Sequence, residues 1–81
     1  MARNLAILDN RGLASPEPLM RTLAWLEEGM IGTVITDRPP LLLYDELAVR
    51  GYLYTVEERP DGYFVHIRRN PLKRHVIASL G

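Results

Sequence analysis

Proline and glycine punctuate this chain so regularly that much of its architecture follows from where they stand. Pro16 and Pro18, then Pro39 and Pro40, fall where two helices can begin, and Gly29 and Gly51 fall where each can end. Proline is tolerated in a first helical turn, because the N–H it lacks has no partner there within the helix. Glycine ends helices because it enters left-handed backbone without a Cβ penalty. Ahead of the first proline pair stands the apolar run Leu5-Ala6-Ile7-Leu8, closed by Asp9-Asn10-Arg11-Gly12. A short apolar run bounded by turn residues suits a buried strand.

Ser15-Pro16-Glu17-Pro18 reads as a helix start, with Ser15 as the cap, Pro16 at the first helical position and Glu17 complementing the dipole. Leu19, Leu23 and Leu26 recur at helical spacing beside Met20 and Ala24. Glu27 and Glu28 oppose the dipole of a last turn, so the stop rests on Gly29. Residues 31–36 are rich in β-branched side chains and predict a buried strand. Asp37-Arg38-Pro39-Pro40 ends it, and the pairs Leu43/Leu47 and Tyr44/Ala48 carry a second helix to Gly51. Residues 52–58 and 63–69 alternate like strands on either side of the turn Arg59-Pro60-Asp61-Gly62.

The predicted order is therefore β-α-β-α-β-β. Right-handed crossovers put both helices on the same face of the sheet. The expected fold is of the α/β (α+β) class, a two-layer sandwich in which two helices cover one face of a four-stranded mixed sheet. At 81 residues there is room for one domain only, assigned to residues 1–70, with residues 71–81 as a tail.

Composition removes several function classes. No cysteine is present, which excludes disulfides, thiolate metal sites and thiol catalysis. Ten basic residues balance ten acidic ones, which argues against a dominant attraction to nucleic acid or an anionic membrane. The charge is nevertheless uneven: residues 1–58 carry five arginines against nine acids, and residues 59–81 carry five basic residues against Asp61. No apolar run has the length of a membrane span and no secretory segment opens the chain, so a cytoplasmic protein is expected.

Residues 8–18, Leu8-Asp9-Asn10-Arg11-Gly12-Leu13-Ala14-Ser15-Pro16-Glu17-Pro18, resemble the signature of the TusA/SirA-like sulfur carriers, in which Asp-x-Arg-Gly-Leu leads into Cys-Pro-x-Pro. The resemblance is closer to the uncharacterised DUF family numbered 2249. That family shares this signature, usually without the cysteine, and has a proline-rich second-helix start running into Leu-Tyr. Here the second motif is Asp37-Arg38-Pro39-Pro40-Leu41-Leu42-Leu43-Tyr44, followed by Leu47 and Arg50-Gly51-Tyr52. The match extends over about residues 5–69 and implies the same β-α-β-α-β-β sandwich. It further implies a bacterial protein of redox, sulfur or nitrogen-oxide metabolism. Serine forms no persulfide, so with Ser15 in the cysteine's place this chain cannot carry sulfur itself.

The candidate binding residues gather at the first helix start: Asp9, Arg11, Gly12, Ser15, Pro16, Glu17 and Pro18. Asp9 and Arg11 suit a local pair that fixes the loop, and Gly12 a tight turn. Ser15 has no adjacent base, so no catalytic residue is assigned and a non-enzymatic role is expected. His66 is expected on the open sheet face as a solvated or stacked side chain, and His75 has no second ligand at metal-like spacing, so no metal is assigned. Tyr52, Tyr54 and Phe64 with Arg68 and Arg69 could form an RNA-binding sheet face, which the neutral charge disfavours. Trp25 is either a rim residue of the core or an interface anchor. The leading expectation is an adaptor that docks a larger protein through this helix start, with no cofactor and with a homodimer left open. The alternative is a binder of an anion or a haem-like cofactor at the same place.

Overall fold

The computed structural model describes residues 5–71. In chain order these form β1 (Leu5–Asp9), α1 (Glu17–Glu27), β2 (Ile31–Thr36), α2 (Leu41–Val49), β3 (Tyr52–Arg59) and β4 (Gly62–Arg69). The sheet runs β1-β2-β4-β3. β1 lies parallel to β2, whereas β4 is antiparallel to both β2 and β3. α1 is thus the crossover between two parallel strands, and α2 carries the chain to the far edge. A two-residue turn, Pro60 and Asp61, then returns β4 to the centre, with Arg59 opposite Gly62. This is the expected α+β sandwich with a mixed four-stranded sheet. Of the predicted tail, residues 71–81, all but Pro71 lies outside the described residues, Val76-Ile77-Ala78 and His75 included.

Side-chain alternation decides which face is covered. Val34 stands opposite Val65, and Ile67 follows two residues later on the same side. Leu26 of α1 and Leu43 and Leu47 of α2 close on these three, and together the six form the buried core. Each such side chain contributes about 1.5–3 kcal/mol when fully buried. Tyr44 of α2 stacks on Tyr54 of β3 with ring centroids 5.1 Å apart and planes at 6°, fastening α2 to the edge strand. Trp25 is half-buried and packs against the core, which makes it a rim residue.

The same register splits the aromatic and basic group of Tyr52, Tyr54, Phe64, Arg68 and Arg69. Tyr54 pairs with Ile67 and Tyr52 with Arg69, so both tyrosines lie on the helix-covered side. Phe64 and Arg68 alternate to the opposite side. No single surface carries the set. His66 does lie on the open face, opposite Thr33 of β2.

β1 and β2 approach closely because Gly32 has no side chain. Its φ is +151°, and a Cβ there would stand 2.0 Å from the Ala6 carbonyl oxygen. Gly29 and Gly51, at φ +90° and +84°, end the two helices as expected. The first helix begins later than expected. Pro16 holds the N-cap position and no side chain caps the helix, so Ser15 is not the cap. The reason lies one turn earlier: the Glu17 N–H, which a cap would serve, donates to the Ala14 carbonyl at 2.9 Å. No helix among the described residues is long and apolar enough to cross a membrane.

Candidate functional site

Because β1 and β2 run parallel, with Asp9 opposite Ile35, the loops that leave their carboxyl ends emerge side by side. Backbone and side chain tie the two loops together. The Asn10 N–H donates to the Ile35 carbonyl at 2.8 Å, and the Gly12 N–H donates to the Asp37 carboxylate. The Thr36 hydroxyl donates to the Arg38 carbonyl at 2.6 Å and turns the second loop outward. Between the loops, and between the helix starts they feed, opens a cleft of about 830 Å³. Residues 12–16, 18, 19 and 22 form one wall and residues 36–43 the other. Crevices at the carboxyl ends of strands are where sheets of this kind commonly hold their ligands.

The walls are largely apolar. Leu13, Pro16, Pro18 and Leu19 face Pro39, Pro40, Leu41 and Leu42 across the opening. Leu41 and Leu42 are 68% and 66% exposed, an unusual state for two adjacent leucines at a helix start. At the first wall the side-chain donors of two polar residues are used internally, while Asn10 Oδ1 has no hydrogen-bond partner among the described residues. Asn10 and Thr22 are almost wholly buried. The Asn10 Nδ2 donates to Thr22 Oγ1 at 3.1 Å and to the Pro18 carbonyl at 3.3 Å, while the Thr22 hydroxyl donates to that carbonyl at 2.8 Å. This small network pins the β1–α1 loop to the first turns of α1.

Few backbone donors remain to receive an anion. Pro16, Pro18, Pro39 and Pro40 carry no N–H. Glu17 and Met20 donate to Ala14 and Pro16, Leu41 donates to Pro39, and Leu43 and Tyr44 donate to Pro40. The helix starts therefore present carbon where other helix starts present N–H groups.

The candidate residues divide accordingly. Gly12, Ser15, Pro16 and Pro18 line the cleft, whereas Asp9, Arg11 and Glu17 do not. Arg11 turns toward the β3–β4 hairpin. Its Nη2 is 2.8 Å from Asp9 Oδ2 and its Nη1 is 3.3 Å from Asp61 Oδ2. The Asp9 carboxylate also accepts the Arg11 N–H at 3.0 Å. Hydrogen bonds from Arg11 hold the Asp9 carboxyl down at about 2, and Asp9 in turn raises the guanidinium. The expected Asp9–Arg11 pair is present, and it reaches further along the chain than expected.

Two groups were missed by sequence reasoning. The second wall, residues 36–43, had a visible signal in Pro39-Pro40-Leu41-Leu42, two prolines followed by apolar side chains that the core cannot all absorb. The other group is on the open face. His66 keeps the solvent exposure expected of it on that face and is in addition bonded on both sides, to Thr33 and to Glu57. Its partners lie 33 and 9 positions away, so only the strand register brings them together. Among the described residues no cluster of three His, Asp or Glu side chains could hold a metal ion.

No family model, no curated protein and no solved structure matches this chain.

Proposed function

We propose that the chain is a protein-binding adaptor. It docks a larger partner through the apolar cleft between the starts of α1 and α2 and runs no reaction there. The observation that carries this reading is the cleft itself, about 830 Å³ across two proline-rich helix starts, with Leu41 and Leu42 exposed at its rim. Such a surface suits apolar side chains presented by another protein. Parts of the two motifs behind the resemblance to the TusA/SirA-like superfamily and its DUF 2249 branch, residues 12–16 and 18 of the first and residues 37–43 of the second, line the two walls of this one cleft. Under that resemblance the setting is the bacterial cytoplasm, in redox, sulfur or nitrogen-oxide metabolism. Ser15 leaves the chain no thiol for a persulfide at the helix start.

The alternative, an anion or haem-like cofactor held at the start of α1, is the weaker reading. The prolines and the local backbone bonds leave few N–H donors, and Arg11 is engaged by Asp9 and Asp61.

The test is affinity capture from the native host with the tagged chain and three variants, identifying bound proteins by mass spectrometry. The reading expects one stoichiometric partner that is lost with Leu41→Asp or Leu42→Asp. The same partner must be retained with Val49→Asp, an equally exposed apolar site at the other end of α2. Retention by all three variants, or a bound small molecule without a protein, contradicts it.

A further inference from the structure

A chain of hydrogen bonds crosses the open sheet face, on the side away from the helices. Thr33 of β2 and His66 of β4 are direct register partners, and Glu57 lies on β3, the next strand. Thr33 Oγ1 is 2.9 Å from His66 Nδ1, and Glu57 Oε1 is 3.3 Å from His66 Nε2. The chemistry of the outer partners fixes where the hydrogens sit. An ionised carboxylate can only accept, so the hydrogen between His66 and Glu57 belongs to Nε2. In the neutral ring Nδ1 then offers a lone pair, and the Thr33 hydroxyl donates to it.

Glu57 is kept ionised by a further neighbour. Arg59 Nη2 lies 2.9 Å from Glu57 Oε1, and the Arg59 guanidinium sits 4.1 Å above the Phe64 ring. The hydrogen bond from Arg59, and then that from His66, holds the Glu57 carboxyl below its ordinary range. A hydroxyl, an imidazole and a carboxylate are thus bonded in the order by which a hydroxyl is made nucleophilic: nucleophile, base and orienting group. Thr33 is half-buried, and the His66 and Glu57 side chains beside it are 42% and 49% exposed, so the group borders solvent.

We propose that Thr33 is an acyl-acceptor site, with His66 as its general base. The site is separate from the cleft and does not rest on the adaptor reading. Thr33 Oγ1 forms a bond to the acyl carbon of an activated ester, and the bond from that carbon to the leaving oxygen breaks. The leaving group departs as an anion, and the hydroxyl proton passes to His66 Nδ1 and on to solvent. Glu57 is a positioning residue that fixes the ring and its tautomer. An open sheet supplies no walls to bind or distort a substrate, so the donor must arrive already activated. The product is an acylated chain formed in a single event.

The experiment mixes the full chain with p-nitrophenyl acetate, follows nitrophenolate release and maps the acetyl group by mass spectrometry. One equivalent released as a burst, with acetyl on Thr33, is the expected result. Thr33→Val, which keeps the shape and removes the hydroxyl, eliminates both signals, and Thr33→Ser retains them. His66→Gln slows acylation by roughly 10²-fold or more, the share a general base supplies. Acetyl found only on lysine, histidine or the N-terminus overturns the proposal, as does unchanged Thr33 labelling in His66→Gln. Circular dichroism establishes that each variant is folded, and mapping on the unaltered chain decides the case where a variant is not.

Discussion

Arg11, in the loop after β1, reaches Asp61 in the β3–β4 turn, fifty positions along the chain, with Nη1 3.3 Å from Oδ2. The same guanidinium grips Asp9 at 2.8 Å. One side chain thereby joins an edge strand to the hairpin that closes the other half of the sheet. A Cβ on Gly62 would touch both Arg11 Cδ and Ile35 Cγ2, so the Arg11 stem also lies along this corner of the open face.

The clamp predicts a particular acid sensitivity. The Asp9 carboxyl is lowered from 3.8 to about 2, so its contribution is fully present above 3.8 and is lost as pH falls through about 2. Arg11→Met keeps the stem and removes the charge. Urea midpoints measured across this acid range should fall less steeply for Arg11→Met than for the parent chain, and added salt should narrow the difference at neutral pH. Parallel acid profiles for the two proteins would contradict the clamp.

Asn10 ties the β1–α1 loop to α1 through Thr22 and the Pro18 carbonyl. Asn10→Ala empties a buried site and removes the donor from both acceptors. The expected loss is about 2 kcal/mol in urea denaturation. A loss that small surface changes produce, below about 0.5 kcal/mol, would show the network to be dispensable.

Gly32 sets the spacing of the parallel pair. Gly32→Ala places a methyl group within 2.0 Å of the Ala6 carbonyl oxygen and 2.5 Å of the Ala6 nitrogen, both backbone atoms. β1 and β2 cannot then keep their register, and the change should cost more than about 4 kcal/mol, enough to unfold a chain of this size. A cooperative thermal transition near that of the parent would refute the close approach.

Ser15 caps nothing, so Ser15→Ala should shift stability by less than about 0.5 kcal/mol, against the loss of about 1 kcal/mol typical of a helix cap. Chemical denaturation separates the two values. The full cap-sized loss would restore the role read from the sequence.

The architecture was legible because local signals and topology agree in this chain. Pro39 and Pro40 before Leu41, Gly51 after Arg50, and Pro60-Asp61-Gly62 between alternating runs each have one easy interpretation. Ser15 misled because its neighbours compete: with proline at 16 and 18, the Glu17 N–H turns back to Ala14, and the helix opens one residue late. The aromatic residues could not be assigned to one face because alternation within each strand says nothing about register between strands. Pairing Tyr54 with Ile67 is what sends both tyrosines under the helices. Half of the cleft was visible in the first motif. The other half, and the Thr33–His66–Glu57 chain, depend on contacts across the sheet order β1-β2-β4-β3, which no local pattern encodes.

The central claim is that a partner protein seats between the two helix starts. The most direct measurement is amide hydrogen exchange of this chain, alone and with the captured partner after purification. The account predicts added protection in residues 12–19 and 36–43 together, with strands β3 and β4 unchanged. Protection confined to the open face or to the β3 edge, with both helix starts exchanging as freely as before, would contradict it.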